Sequence, residues 1–493
     1  MIYNFNLGIG WASSGVEFAQ KYRNSCFHKV GLPAKFIFTD LITTDNIEHY
    51  TRNMGFLDSE IIWLYSYFTD YPIAPTSYSR VDFEKKIDRE FTYSRQGSKG
   101  RYNFSNNGYY SVFFVDDESE CINRVEYVQN GILIRKDYFT IGRLFSEYYI
   151  PLNGVARVCQ RKFYNQDGTV SFEEIVDGKE SWFRFKGGAL LSKQELVRKL
   201  CQELNFTSED TVILDRTSEI GQAVMESVGD AKLGVVIHAE HYSLNHASGD
   251  YILWNNYYEY PFSNHRFIDF YVVATELQKQ ILEEQFEKYN HVKPLVYAIP
   301  VGNLDKLRDC EDRKPYSIIS ASRLAKEKHL DLAIKACVMA KAEVPQISLD
   351  IYGEGPLKTD LKRLIEENDA GDYIRLLGQR DLEDIYERYE LYLSASYSEG
   401  FGLSLMEALG SGNAIIGFDV PYGNKNFVSD SENGYLVPFN EEDSELVQVE
   451  MLRDSIVKYF KESSREAFKE KSYEKARKYL TEEVSALWKN MVL

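Results

Sequence analysis

The chain has 493 residues, of which 44% are hydrophobic and 27% charged, and its formal net charge is −18. That length exceeds one ordinary hydrophobic core and predicts two or three domains, while the composition excludes extended disorder. The acidic balance argues against nucleic acid as a partner and against broad electrostatic docking on anionic lipid, leaving a local membrane-facing patch open.

The first residues, MIYNFNLGIG, enter a strand-like run with neither a basic segment nor a long apolar one before it, so no signal peptide is expected. No apolar run reaches transmembrane length. The six cysteines lie far apart and form no C-x-x-C pair, which suits reduced thiols in the cytoplasm.

Residues 1–72 alternate apolar runs (Ile2 to Leu7, Ala34 to Thr39, Ile61 to Tyr65) with helix-like stretches, the rhythm of βαβ units and a parallel sheet. Within them, Gly8-Ile9-Gly10 leads through Trp11, Ala12, Ser13 and Ser14 to Gly15 and Val16, then into a helix containing Phe18, Ala19 and Tyr22. A dinucleotide fingerprint needs glycine where Ser13 stands, so this loop alone is weak evidence for a phosphate site.

From 73 to 190 the style changes to Tyr-, Phe-, Val- and Ile-rich segments punctuated by turns such as Asn130-Gly131 and Asp167-Gly168, which predicts an antiparallel β-rich insertion. Residues 191–297 return to the first rhythm, with TVILD, GVVIHAEHY and FIDFYVVAT as strands, and so complete the first domain. His238 and His241 follow one of these strands, with His246 nearby. Zinc is the sharp alternative there, but no cysteine accompanies them and H-E-x-x-H is absent; a hydrogen-bonded loop histidine is the plainer reading. The aromatic run 251–262, YILWNNYYEYPF, suits stacking on sugar or peptide and simple packing equally well.

A second α/β domain is predicted over 298–475, with SIISA, ISLDIYG, IRLLG, YLSAS and AIIGF as buried strands. Between the first two, Leu330, Ile334 and Cys337 recur at helical spacing; Leu357, Leu361, Leu364 and Ile365 do so after the second. Arg323 and Lys328 follow SIISA, at the carboxyl end of the sheet where open α/β folds bind ligands. Two cations there can hold a diphosphate and stabilise the charge that grows as it leaves. The strongest signal is SEGFGLSLMEALGSG, residues 398–412. Gly400, Phe401 and Gly402 lead into a helix whose first amides, around Gly402, Leu403 and Ser404, form a ready anion site. Glu399 and Glu407 border the same turn, and a carboxylate suits a sugar or ribose diol. Two merely solvated glutamates at a helix start would be the bland reading of this string. Residues 476–493 form a last helix capped by Thr481, with Leu480, Val484, Leu487, Trp488 and Met491 along one side.

Arg323-x4-Lys328 followed by Glu399-x7-Glu407 resembles the family 4 retaining glycosyltransferases of the GT-B fold, in which two Rossmann-like domains face a cleft. The β insertion with GIGWASSGVEFAQ and VVIHAEHYS extends the resemblance over the whole chain, to the A subunits that initiate O-glycosylation of serine-rich repeat adhesins in Gram-positive cocci. The resemblance implies that Arg323 and Lys328 hold the diphosphate of UDP-N-acetylglucosamine, Glu407 the ribose and Glu399 the sugar hydroxyls. It places the amides of Gly402 to Ser404 on the distal phosphate and the main chain of Gly378, Gln379 and Arg380 on uracil. One of His238 and His241, the latter first, would contact the transferred sugar, and Gly15 and Val16 would line its diphosphate. It further implies a serine-rich acceptor polypeptide and a homologous B subunit. Exposed strands and edges invite pairing, so the insertion is the expected docking surface for that subunit. The composition predicts a cytoplasmic protein, with peripheral association at the inner membrane face left open. No D-x-D occurs, so metal-independent chemistry without a cofactor is expected. A teichoic-acid glycosyltransferase and a non-catalytic glycoprotein-binding subunit are the competing readings.

Overall fold

The first strands, Ile2–Asn6 and Ala34–Phe38, are each buried at every position but one, as strands covered on both faces are. A computed structural model describes residues 1–10, 15–247, 249, 251–310 and 312–492. The expected loop residues Trp11 to Ser14 lie outside the described residues, as does the side chain of His246. The chain divides into two compact units, one of Met1–Lys21, Pro33–Val235 and Tyr260–Asp269, the other of Tyr22–Leu32, Val236–Glu259 and Phe270–Leu493.

In the first unit, strand Ile2–Asn6 pairs in parallel with Ala34–Phe38 on one side and Thr211–Leu214 on the other; Ile61–Trp63 extends the sheet beyond Ala34–Phe38. The apolar run read through Tyr65 is split, since the strand stops at Trp63 and Leu64–Tyr67 turns into a short helix. The same unit carries a ten-stranded antiparallel meander between Thr92 and Leu191, its strands adjacent in chain order. Asn130 and Gly131 both adopt positive φ, of 51° and 79°, the tight turn that an Asn-Gly hairpin demands. Cross-strand rings hold the meander's middle: Phe163 stacks on Phe172 at 4.4 Å, and Phe145 and Phe185 continue the ladder at 5.3 and 5.2 Å.

The second unit is built on six parallel strands. In chain order these are Ser317–Ala321, Ser348–Tyr352, Ile374–Gly378, Leu391–Ser394, Ala414–Phe418 and Gly434–Val437, and their spatial order is third, second, first, fourth, fifth, sixth. This doubly wound arrangement reverses direction between the first and fourth strands, the switch point at which such sheets bind ligands. Ile374–Gly378 is an edge strand and only partly buried, whereas Gly434–Val437, not read from sequence, closes the other edge. Helices Leu330–Ala340 and Lys358–Glu367 connect the first three strands. The last helix, Thr481–Val492, buries Val484, Trp488 and Met491, but Leu487 points outward and is 41% exposed. Among the described residues no helix is long and apolar enough to cross a membrane, and the six cysteines are unpaired thiols.

Candidate functional site

Two loops leave the carboxyl ends of the first and fourth strands of the six-stranded sheet, one on each side of its switch point. The first, Ser322 to His329, has its backbone pressed against two glycines. A Cβ on Gly353 would lie 1.9 Å from the Ser322 carbonyl oxygen, and one on Gly355 would lie 2.5 Å from that of Leu324. Buried Leu324 anchors the loop, and its N–H donates to the Glu354 carbonyl at 3.0 Å. Arg323 projects from this loop with its side chain 77% exposed, its guanidinium 2.9 Å from Glu327. A single turn, Lys326–Lys328, then delivers Lys328 back across the switch point.

The second loop runs from Ala395 to Gly402 and enters helix Leu403–Gly410. Gly402 caps this helix with φ of 86°, a conformation that favours glycine, and a Cβ there would meet Leu405 at 2.6 Å. Phe401 is buried against Phe427 and Tyr479, and the Glu399 carbonyl accepts the N–H groups of Tyr422 and Gly423, each at 2.8 Å. Ser404 Oγ shares a 2.8 Å hydrogen bond with the buried Tyr392 hydroxyl, which ties the helix start to the strand before it. The first N–H groups of a helix have no partner within it, so Leu403 and Ser404 present donors where an anion would sit.

Of the four charged residues expected to act together, Lys328 and Glu399 meet directly: Nζ lies 2.7 Å from Oε2, both side chains mostly shielded from solvent. Glu407 stands on the helix just beyond, where the Tyr22 hydroxyl donates to its Oε1 at 2.8 Å. Arg323 does not join them, its guanidinium being held by Glu327 instead. Gly378 ends the edge strand with φ of 74° and accepts from the Gly353 N–H at 2.9 Å, while Gln379 and Arg380 are exposed beside it. Gly15 and Val16 begin helix Gly15–Val30 and belong to the first unit.

The histidines differ sharply. His241 is wholly buried, with Nε2 at 2.9 Å from Gln285 Oε1 and Nδ1 at 3.1 Å from the Tyr422 hydroxyl. Burial pushes its pKa down to about 4, so the ring is neutral at physiological pH. His238 is half-buried, and its carbonyl lies 3.0 Å from where a Cβ on Gly400 would sit, so glycine is what lets the second loop approach it. The Tyr258 hydroxyl accepts the N–H groups of His238 and Ala239 at 2.9 and 3.0 Å. Tyr258 and Trp254 of the aromatic run are thus packing residues, Trp254 lying against His241 and Phe286, while Tyr251 and Tyr257 are exposed.

Sequence reasoning passed over Tyr422 and Glu240. Burial raises the Glu240 carboxyl's pKa, and Ser398 of the second loop bonds to it. Its place between the two histidines was the available signal. Among the described residues no group of three or more His, Cys, Asp or Glu side chains could hold a metal ion.

Two family models match the chain: the GtfA extended beta-sheet domain over residues 35–187, and glycosyl transferases group 1 over 308–475. The GtfA subunit of a UDP-N-acetylglucosamine–peptide N-acetylglucosaminyltransferase from Streptococcus gordonii is 48% identical, over 100% of this chain and 98% of its own. The crystal structure of the pneumococcal O-GlcNAc transferase GtfA with UDP and GlcNAc superposes with a TM-score of 0.95 at 46% identity, covering 100% and 98% of the two chains. A GtfA/B complex superposes with a TM-score of 0.94 at 48% identity, covering 100% and 99%.

Proposed function

The chain belongs to the GtfA family of UDP-N-acetylglucosamine–peptide N-acetylglucosaminyltransferase subunits, of GT-B fold, and on that premise we propose how its residues carry the reaction. It is a glycosyltransferase that moves N-acetylglucosamine from UDP-N-acetylglucosamine, working with a homologous B subunit. The acceptor is a Ser or Thr hydroxyl of a serine-rich surface glycoprotein, and the α-configuration is retained. The work is cytoplasmic.

The observation that carries the residue assignments is the Lys328–Glu399 pair spanning the switch point of the six-stranded sheet. Lys328 holds the diphosphate, and Arg323 swings from Glu327 to join it. The amides of Leu403 and Ser404 meet the distal phosphate. Glu399 takes the sugar hydroxyls, Glu407 the ribose, and the Gly378–Arg380 main chain the uracil. His241 reaches the sugar by exchanging its bond with the Tyr422 hydroxyl for one with a sugar hydroxyl. The bond from the sugar C1 to the β-phosphate oxygen breaks while the acceptor oxygen bonds C1 on the same face. The departing phosphate oxygen takes the acceptor proton, and the two cations neutralise it without a metal.

Incubating the chain, with and without its B subunit, with several UDP-sugars and a Ser-rich peptide tests this by mass spectrometry. Addition of N-acetylglucosamine to the peptide is expected. Transfer to a polyol phosphate instead, or binding of glycosylated peptide without turnover, would overturn it.

A further inference from the structure

Tyr22 lies on helix Gly15–Val30, far in sequence from the glycosyltransferase motifs, and its place on that helix reads as packing. Its hydroxyl nevertheless donates to Glu407 Oε1 at 2.8 Å, across 385 positions of chain. Tyr386, fully buried, also bonds this carboxylate, and burial together with the Glu407 charge lifts its pKa well above the ordinary tyrosine value. Burial first, and then Glu407, raise the Tyr22 pKa as well, so both hydroxyls stay protonated and act as donors.

The turn that presents Tyr22 is itself fixed. Asn303 Nδ2 donates to the Tyr22 carbonyl at 3.0 Å, and the Thr481 hydroxyl donates to Asn303 Oδ1 at 2.9 Å. Both partners lie outside the motif helix, so the tyrosine is set independently of the residue it touches. A carboxylate offers about four acceptor sites, which accommodate two tyrosine hydroxyls and a vicinal diol together. A glutamate held from behind by fixed donors loses little rotamer freedom when a ligand arrives, whereas an unsupported one would pay for its own ordering.

We infer that Tyr22 is a positioning residue for nucleotide recognition: its hydroxyl holds Glu407 in the orientation that receives the two ribose hydroxyls of the donor. The inference rests on the assignment of Glu407 to the ribose. Tyr22 touches the carboxylate, not the ligand, and its contribution is specific to what Glu407 binds.

Calorimetric titration of the full chain with UDP and with 2′,3′-dideoxy-UDP tests this in the wild type, Tyr22→Phe, Glu407→Gln and the double variant. The wild type is expected to prefer UDP. Tyr22→Phe should weaken UDP on the order of tenfold, the scale of one hydrogen bond to a charged group, while leaving dideoxy-UDP unchanged. In the Glu407→Gln background the same substitution should add nothing, and thermal melts of each variant report on folding. If the wild type binds both nucleotides alike, the ribose assignment of Glu407 fails. If the wild type prefers UDP but Tyr22→Phe binds it as well or better, or loses both nucleotides equally, the positioning role alone is overturned.

Discussion

Lys328 Nζ stands 2.7 Å from Glu399 Oε2, although the two residues are 71 positions apart and leave different strands of the sheet. Each is thereby kept in place over the switch point before any ligand arrives. A cation preset where a leaving group gains charge needs no reorganisation at the moment of reaction. Lys328→Ala is therefore expected to lower peptide glycosylation on the order of 10²–10³-fold, most of it in kcat. Lys328→Arg keeps the charge but not the compact ammonium, and should recover only part. Near-normal turnover of the alanine variant would remove Lys328 from the departure step.

Arg323 makes the opposite case. Its exposed pair with Glu327 is of the kind that contributes roughly 0.2–1 kcal/mol, so Arg323→Ala should change the melting temperature little. Activity should nonetheless fall on the order of 10²-fold, because in the proposed mechanism the side chain turns to the diphosphate. Glu327→Ala, which frees the guanidinium, should retain activity. An Arg323→Ala enzyme with full turnover would show that Lys328 and the helix amides suffice.

Legibility followed periodicity and local chemistry. Strands such as SIISA and AIIGF announce themselves because burial on both faces demands unbroken apolar runs, and Asn130-Gly131 because its turn needs positive φ twice. The Glu399 string was legible because Gly400 stands where backbone approaches backbone and Gly402 where the helix cap takes a positive φ. Long-range partners were not. Nothing local in the sequence tells which carboxylate Tyr22 will meet, that Arg323 will pair with Glu327, or that both nitrogens of His241 will be engaged by Gln285 and Tyr422. The strand Gly434–Val437 was too short, with too little alternation, to separate from its neighbours.

His241 gives the fold an acid sensitivity of known sign. In the folded chain its pKa is lowered by burial from 6.5 to about 4. Above pH 6.5 the ring is neutral in both states and costs nothing. As pH falls from there toward 4, the unfolded chain takes up a proton that the fold refuses, and stability drops by about 3 kcal/mol in all. His241→Gln should be less stable at neutral pH, through lost contacts with Tyr422 and Gln285. Its stability should then fall less steeply than the wild type's between pH 6.5 and 4, as read by urea unfolding at several pH values. Parallel curves would show that His241 is not the group responsible.

The last helix separates two neighbours that its apolar spacing had grouped together. Trp488 is 2% exposed, packs edge-on against Phe27 at 5.6 Å and carries the Arg23 guanidinium over its ring at 4.9 Å. Leu487, one position earlier, faces outward, because adjacent helical residues lie about 100° apart and a stripe cannot hold both at its centre. Trp488→Ala leaves a large cavity and an arginine without its aromatic face, which should cost about 3–5 kcal/mol. Leu487→Ala should stay within about 0.5 kcal/mol, as surface substitutions do. Chemical denaturation of the two variants side by side checks this, and a Leu487→Ala loss comparable to that of Trp488→Ala would mean that a partner covers the outward face of the helix in solution.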